Sequence, residues 1–304
     1  MQILTTPQAQ QRLMVSIGTY DGVHRGHRFL IEHLRQESNA RGLKSGVVTF
    51  KNHPQSVVNP QYNPKTLSTL DERLALLEET GIDYCILLDF DDKLRSYSAE
   101  EFMTTLLNDY GVNALILGYD NRFGRDRINC IDGYKVIGKR IGIEVIQTPE
   151  LEGNISSSII RSLLLNGDVA AANVALGYDY SITGTITAGK QLGRTIGFPT
   201  ANLDVNDKNK LIPSNGAYAA IAVTADDSQH KAMVNIGHRP TVDVKDTSIT
   251  IEAHLLDFNR DIYGQSLTLK FIKFLRPEKR FNSLEELSAQ LSCDLNEVSL
   301  ISVN

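Results

Sequence analysis

The ten residues Gly18 to His27 read GTYDGVHRGH and follow directly on the apolar run Met14-Val15-Ser16-Ile17. A strand feeding a glycine-rich turn, then a helix expected over roughly Gly26 to Arg41, sets two imidazoles beside a helix N-terminus. Free N–H groups and the positive end of the helix dipole attract phosphate at such a place. Gly18, Asp21, Gly22 and Gly26 are the candidate phosphate-binding positions of the turn. His24 and His27 are the candidate catalytic ones, able to hydrogen-bond phosphate oxygens and stabilise charge building up at phosphorus. The same ten residues are also readable as a turn with two surface histidines, or as half of a metal site. No further His/Cys pair at ligand spacing follows, which favours nucleotide chemistry over metal binding.

Three further segments carry candidate chemistry. Ile155-Ser-Ser-Ser-Ile-Ile-Arg161 puts three hydroxyls and an arginine at the start of a helical run. Ser156, Ser157 and Arg161 can present donors to phosphates, although alone the segment reads more readily as the N-cap of a helix over Ser158–Leu165. In Gly193-Arg-Thr-Ile-Gly-Phe-Pro-Thr-Ala-Asn202, the residues Gly193, Arg194 and Gly197 suit close approach of backbone to phosphate. Thr200 and Asn202 offer hard oxygens suited to Mg²⁺, while a structural Pro-Thr turn would leave the same pattern. Glu252 lies in the alternating run Ile249-Thr-Ile-Glu-Ala-His-Leu-Leu256, where Thr250, Glu252 and His254 share a face. Such a carboxylate can take a proton from a primary hydroxyl, or be a solvated strand glutamate.

The elements that must position these residues change character along the chain. Strands expected at Met14–Gly18, Gly46–Phe50, Tyr84–Asp89, Ala114–Gly118 and Ile143–Gln147 alternate with helices, which argues for a parallel α/β sheet. Thr69 with Glu72 and Ser98 with Glu101 are capping boxes, and Gly81 and Gly111 follow helical runs where a left-handed cap favours glycine. Ligands of such a sheet bind beyond the carboxyl ends of its strands, where His24, His53 and Asp120 are expected to converge. From Tyr180 on, short β-rich runs at Tyr180–Thr187, Ala217–Val223, Lys231–Ile236, Ile249–Leu256 and Leu267–Leu275 suggest a barrel or sandwich. A last helix is expected to open with a third capping box, Ser283 with Glu286. The expected division is therefore an α/β domain over residues 1–180 and an all-β domain over 181–304.

Composition narrows the classes. A formal net charge of −5 argues against a nucleic-acid binder with a basic face, and no apolar stretch approaches the ~20 residues that cross a bilayer. The N-terminal residues lack the basic start and apolar core of a signal peptide. Cys85, Cys130 and Cys293 are scattered and off metal-ligand spacing, which fits a reducing cytoplasm.

Together, GTYDGVHRGH, TFKNHP (Thr49 to Pro54), GYDNRFG (Gly118 to Gly124) and ISSSIIR resemble the adenylyltransferase module of bifunctional riboflavin kinase/FAD synthetases, within the nucleotidylyltransferase superfamily. GRTIGFPTAN, NIGHRPT (Asn235 to Thr241), Ile251 to Gly264 and LRPEKRF (Leu275 to Phe281) resemble that family's riboflavin kinase module, in the family's order. The resemblance implies a Rossmann-like nucleotidylyltransferase domain followed by a six-stranded kinase barrel. It implies ATP phosphate contacts from His24 and His27, a triphosphate grip from Ser156, Ser157 and Arg161, and a flavin-side or adenine-side pocket lined by Asn52, Asp120 and Arg122. In the barrel it implies Mg²⁺ and ATP at Thr200 and Asn202, Glu252 as base, and Arg276 near the flavin.

The implied reactions phosphorylate riboflavin to FMN and adenylylate FMN to FAD, with riboflavin, FMN and ATP as the small-molecule partners. Neither nucleic acid nor membrane is implied, and the oligomeric state stays open between monomer and weak self-association. The chain departs from the family at Tyr20 (usually Phe), Ser158 (usually Thr), Asn121 (usually aromatic) and Pro277, which separates Arg276 from Glu278. A chain with one working module and a flavin-binding regulator are the rival readings. The set of reactive groups argues against the regulator, and the barrel argues against adenylyl transfer to a different phosphate.

Overall fold

A computed structural model describes residues 1–59, 61, 65–118, 121–126, 128–149, 153, 155–188, 197–238 and 249–302. The chain forms two compact units, Met1–Ser157 and Ser158–Asn304.

In the first unit, β1 (Gln2–Leu4), β2 (Leu13–Ile17), β3 (Lys44–Phe50), β4 (Tyr84–Leu88), β5 (Val112–Leu117) and β6 (Glu144–Gln147) form one sheet in the order β1-β4-β3-β2-β5-β6. Every pairing is parallel. The strand β1 has too few residues to show periodicity and was not expected. The helices are α1 (Arg25–Ala40), α2 (Pro54–Val58), α3 (Leu70–Glu78), α4 (Asp92–Arg95), α5 (Ala99–Tyr110) and α6 (Ile131–Ile141).

One apolar cluster joins Leu13, Val15 and Ile17 to Phe102, Leu106 and Tyr134 of α5 and α6, and a second joins Met14 and Val47 to Ile31, Leu34 and Leu77 of α1 and α3. Both faces of the sheet are thus covered, and β2 is buried at every position. Both expected capping boxes form, and Gly111 caps α5 at φ 68°. Chain order reverses about β2, with β3, β4 and β1 on one side and β5 and β6 on the other. Such a reversal leaves a crevice at the carboxyl ends of β2 and β5.

The second unit begins within α7 (Ser157–Leu165) and continues with α8 (Val169–Leu176). Its strands β7 (Ser181–Thr187), β8 (Ala201–Asp204), β9 (Gly216–Thr224), β10 (Gln229–His238), β11 (Ile249–Leu255) and β12 (Ser266–Arg276) close into a barrel in the order β10-β11-β8-β7-β12-β9. The strand β8 starts at the end of the segment Gly193–Asn202, whose alternative reading from sequence is a loop with a structural Pro-Thr turn. Its four residues are too few to show an alternation. Helix α8 packs on β12, where Asn173 Nδ2 donates to the Phe271 carbonyl at 2.8 Å and Asn173 Oδ1 accepts from Tyr180 N at 2.8 Å. Helices α7 and α8 therefore cluster with the barrel, although the sequence groups them with the α/β segment.

The C-terminal helix Leu284–Ser299 lays Leu291 and Val298 against Ala219 and Met233. Its Ser283 cap accepts from Glu286 N, but the Glu286 carboxylate reaches Asn282 N rather than closing the expected box.

Candidate active sites

The glycine-rich turn is held open by its own backbone. Tyr20, Gly22 and Val23 have φ of 50°, 76° and 35°, so two non-glycine residues occupy the left-handed region. Strain of this kind, about 1–3 kcal/mol per residue, persists where surrounding contacts over-determine it. Those contacts come from behind the turn. The buried Asp21 carboxylate accepts from Leu67 N at 2.8 Å and Ser68 N at 3.1 Å, and Gly22 N donates to Ser68 Oγ at 3.0 Å. Ser157 Oγ donates to the Asp21 carbonyl at 3.0 Å, which ties the hydroxyl-rich segment to the turn. Asp21 thus shapes the cradle from behind, with its carboxylate on the protein's own N–H groups.

His24 is the N-cap of α1 and makes no side-chain capping bond, so that side chain does not compete for the first-turn N–H groups. Its ring stacks on His27 at 3.7 Å between centroids, and Tyr20 meets His27 edge-on at 5.1 Å. A Cβ on Gly26 would lie 3.2 Å from the His24 ring, so this glycine makes room for the stack. Burial, reinforced by the His24 charge, holds the His27 pKa well below the ordinary 6.5. His27 Nδ1 is buried and has no hydrogen-bond partner among the described residues. A neutral imidazole with a spare nitrogen, beside a helix N-terminus, is equipped to take an anionic oxygen.

A cavity of about 730 Å³ opens over the carboxyl ends of the strands. Gly18, Tyr20, His27, Phe50, Phe90 and Arg122 are among its walls. The exposed Asn52 is not among the walls but exchanges two bonds with the backbone of the wall residue Phe90 at 2.8 and 2.9 Å, and Phe90 packs edge-on to Phe50. Asn121 donates through Nδ2 to the Ile17 carbonyl and so pins the loop after β5 to the end of β2. A phenylalanine at that position, having no donor, could not make this bond. Asp120 lies outside the described residues.

Arg73 of α3 was not singled out from sequence. It is buried and donates to the Thr19 carbonyl at 3.0 Å and to the Phe50 carbonyl, holding the turn and the end of β3 together. Burial lowers its pKa. The sequence trace is a charged residue four positions before the buried Leu77, on the apolar face of its helix. Arg73→Met is expected to destabilise the first unit by about 2 kcal/mol, since two acceptors lose their donor and a buried charge is relieved. Scanning calorimetry of the variant checks it.

In the barrel, register assembles the second site. Asn202 of β8, Glu252 of β11 and Asn235 of β10 are direct partners across three adjacent strands. They share the outer face, because their neighbours Leu203, Ile251, Ala253, Val234 and Ile236 are buried. Glu278 reaches the same strip: a Cβ on Gly237 would lie 2.6 Å from its Oε1 and 3.5 Å from Asn235 Nδ2. One strip therefore carries two carboxylates and two amides, and Asn235 is the member that sequence reasoning left without a role.

A cavity of about 660 Å³ has Pro199, Thr200, Ala253, Phe258, Arg260 and Tyr263 among its walls, while Asn202, Glu252 and Asn235 are not among them. Arg260 is tied to the β9–β10 hairpin by Asp226 at 2.7 Å and Ser228 at 3.0 Å. Gly197 is exposed at φ 85°, while Gly193 and Arg194 lie outside the described residues. Arg276 does not stand free, because its guanidinium grips the buried Asp294 of the C-terminal helix through Nε and Nη2 at 2.8–3.1 Å. In the second unit Arg161 donates to Ser158 Oγ at 3.2 Å. No group of three or more His, Cys, Asp or Glu that could hold a metal occurs among the described residues. Thr200 and Asn202 remain an oxygen-only donor pair, of the kind that holds Mg²⁺ together with phosphates and water.

A parallel sheet with a glycine-rich turn and a histidine pair at its switch point, followed by a small closed barrel with a polar strip, fits a two-module transferase acting on nucleotides. Residues 6–162 match the family model for FAD synthetase, and residues 176–301 match that for riboflavin kinase. The bifunctional riboflavin kinase/FMN adenylyltransferase of Escherichia coli K12 is 35% identical over 94% of this chain and 91% of its own. That of Pseudomonas fluorescens is 37% identical, over 93% and 90%. A crystal structure from Streptococcus pneumoniae, named a macrolide-efflux protein, superposes with a TM-score of 0.90 at 28% identity over 99% of both chains. Among the described residues no helix is long and apolar enough to cross a membrane. The chain belongs to the bifunctional riboflavin kinase/FMN adenylyltransferase family, with its FAD synthetase domain first and its riboflavin kinase domain second.

Proposed function

We propose that the chain converts riboflavin and ATP to FMN in the barrel, then FMN and a second ATP to FAD in the α/β module. Residues 1–180 would serve the second reaction and 181–304 the first. The observation that carries this reading is that each unit has a cavity and candidate groups of its own: His27, stacked on His24, lines one, and Thr200 lines the other, two residues before Asn202, which pairs with Glu252.

In the barrel, Glu252 would take the proton from the 5′-hydroxyl of riboflavin as that oxygen attacks the γ-phosphorus of ATP and ADP departs. Thr200 and Asn202 would hold Mg²⁺, which when bound would offset the charge on the phosphates. In the α/β module the FMN phosphate is already an anionic nucleophile. It would attack the α-phosphorus of ATP and release pyrophosphate. His24, His27 and the turn at Gly18, Gly22 and Gly26 would stabilise the charge, with Ser156, Ser157 and Arg161 on the triphosphate. Arg122 would face the flavin side of the cavity. Asp21, Asn52 and Arg276 are proposed to act through the segments they anchor. The three unpaired cysteines support a cytoplasmic setting.

The test is to incubate purified protein with ATP and Mg²⁺, starting from riboflavin in one tube and from FMN in another, and to separate the flavins by chromatography. FAD in both tubes is the expected result. FMN as the end product from riboflavin, with supplied FMN unchanged, would confine activity to the barrel. No product in either tube would overturn the reading.

A further inference from the structure

Where β8 meets β11 the ladder stops early. Its last pairs are Glu252 with Asn202 and Ala253 with Ala201, and the next step in register would set His254 opposite Thr200. Pro199 has no N–H and cannot extend the ladder. A side chain takes over at this point, since His254 Nδ1 lies 2.8 Å from the Pro199 carbonyl. A carbonyl accepts, so Nδ1 carries the proton. The same ring meets Phe198 edge-on at 5.5 Å, and Phe198 packs on the cluster of Ala219, Met233 and Val298. His254 and Glu252 share one face of β11.

We propose that His254 is a positioning residue of the kinase site: its imidazole clamps Pro199 and thereby fixes Thr200 in relation to Glu252. This rests on the kinase reading above. Thr200 follows the clamped carbonyl directly, and Asn202 follows two residues later, opposite Glu252. The imidazole thus ties the residues that would hold the metal-bound phosphates to the strand carrying the group that would take the proton. Misplacing such ligands weakens phosphate binding more than it changes the proton acceptor, so the effect belongs in KM.

Two variants separate this role from general packing. His254→Phe keeps a flat ring but has no donor, whereas His254→Gln restores an N–H. The phenylalanine variant is expected to raise the KM for MgATP in FMN formation by about 3- to 10-fold with kcat nearly unchanged, in line with the loss of one hydrogen bond. Glutamine should recover most of that loss, and FAD formation from FMN should be unaffected in both. Amide exchange at residue 198 and residues 200–203 is measured on the same proteins. It should quicken in His254→Phe and return towards wild type in His254→Gln, a readout that stands even if the wild-type chain makes no FMN. Unchanged KM or unchanged exchange in His254→Phe would overturn the proposal, as would equal losses in both variants.

Discussion

His27→Ala is expected to lower FAD formation from FMN by about 10²–10³-fold, the cost of removing one preorganised donor from a developing anion, and to leave FMN formation from riboflavin intact. The ring sits at the centre of a contact chain, stacked on His24 at 3.7 Å and edged by Tyr20 at 5.1 Å, and it lines the cavity of the α/β unit. Its lowered pKa means that it meets substrate neutral, as a hydrogen-bonding imidazole, so transition-state charge is met without two cations stacked face to face. Flavin chromatography with each half-reaction started separately checks the outcome. Undiminished FAD formation would remove His27 from the chemistry, and loss of both reactions would point to a folding defect.

The same shift has a consequence for stability. Because the folded-state pKa lies below the unfolded value of 6.5, the unfolded chain binds more protons. The contribution is complete above that value and is lost as pH falls below it. Polyphosphate, which favours a charged imidazole, should oppose the loss. Thermal unfolding recorded downward from about pH 7.5, with and without inorganic triphosphate, should show a falling transition that the anion restores.

Glu252→Gln is expected to cut FMN formation by about 10²–10⁴-fold, the usual worth of a positioned proton acceptor, while FAD formation from supplied FMN continues. The amide keeps the size of the side chain on the strip with Asn202 and Asn235, so binding should survive while the proton acceptor is lost. The KM for riboflavin should therefore change little and the effect should fall on kcat. The neighbouring carboxylate sharpens the test, because Glu278 reaches the same strip over Gly237. If Glu252→Gln retained kinase activity and Glu278→Gln abolished it, the base would be Glu278.

The motifs reached their expected places unevenly, for local reasons. Strand β2, the turn and α1 are consecutive in the chain, so the cradle was legible from composition and order alone. The capping boxes at Thr69 and Ser98 span three residues and form as read. Where Ser283 failed to close its box, the competing donor was the adjacent Asn282 amide. The strand β8 escaped notice because its four residues show no periodicity of their own and become a strand when β7 and β11 flank them.

The sequence by itself determined the classes of chemistry, the order of the two modules and the residues within each motif. All of these depend on neighbours along the chain and on the periods of helix and strand. Tertiary structure decided which side chains stay available for chemistry. Asp21, Asn52 and Arg276 look like binding residues in their motifs, yet each is held by a distant partner: Leu67 and Ser68, Phe90, and Asp294. Arg73 carries no motif, yet it braces the cradle across 54 residues. Asn235 acquires a place in the polar strip beside Glu252 through strand register alone. The physical reason is that buried charges and backbone carbonyls must find partners, and the fold brings those partners from remote positions.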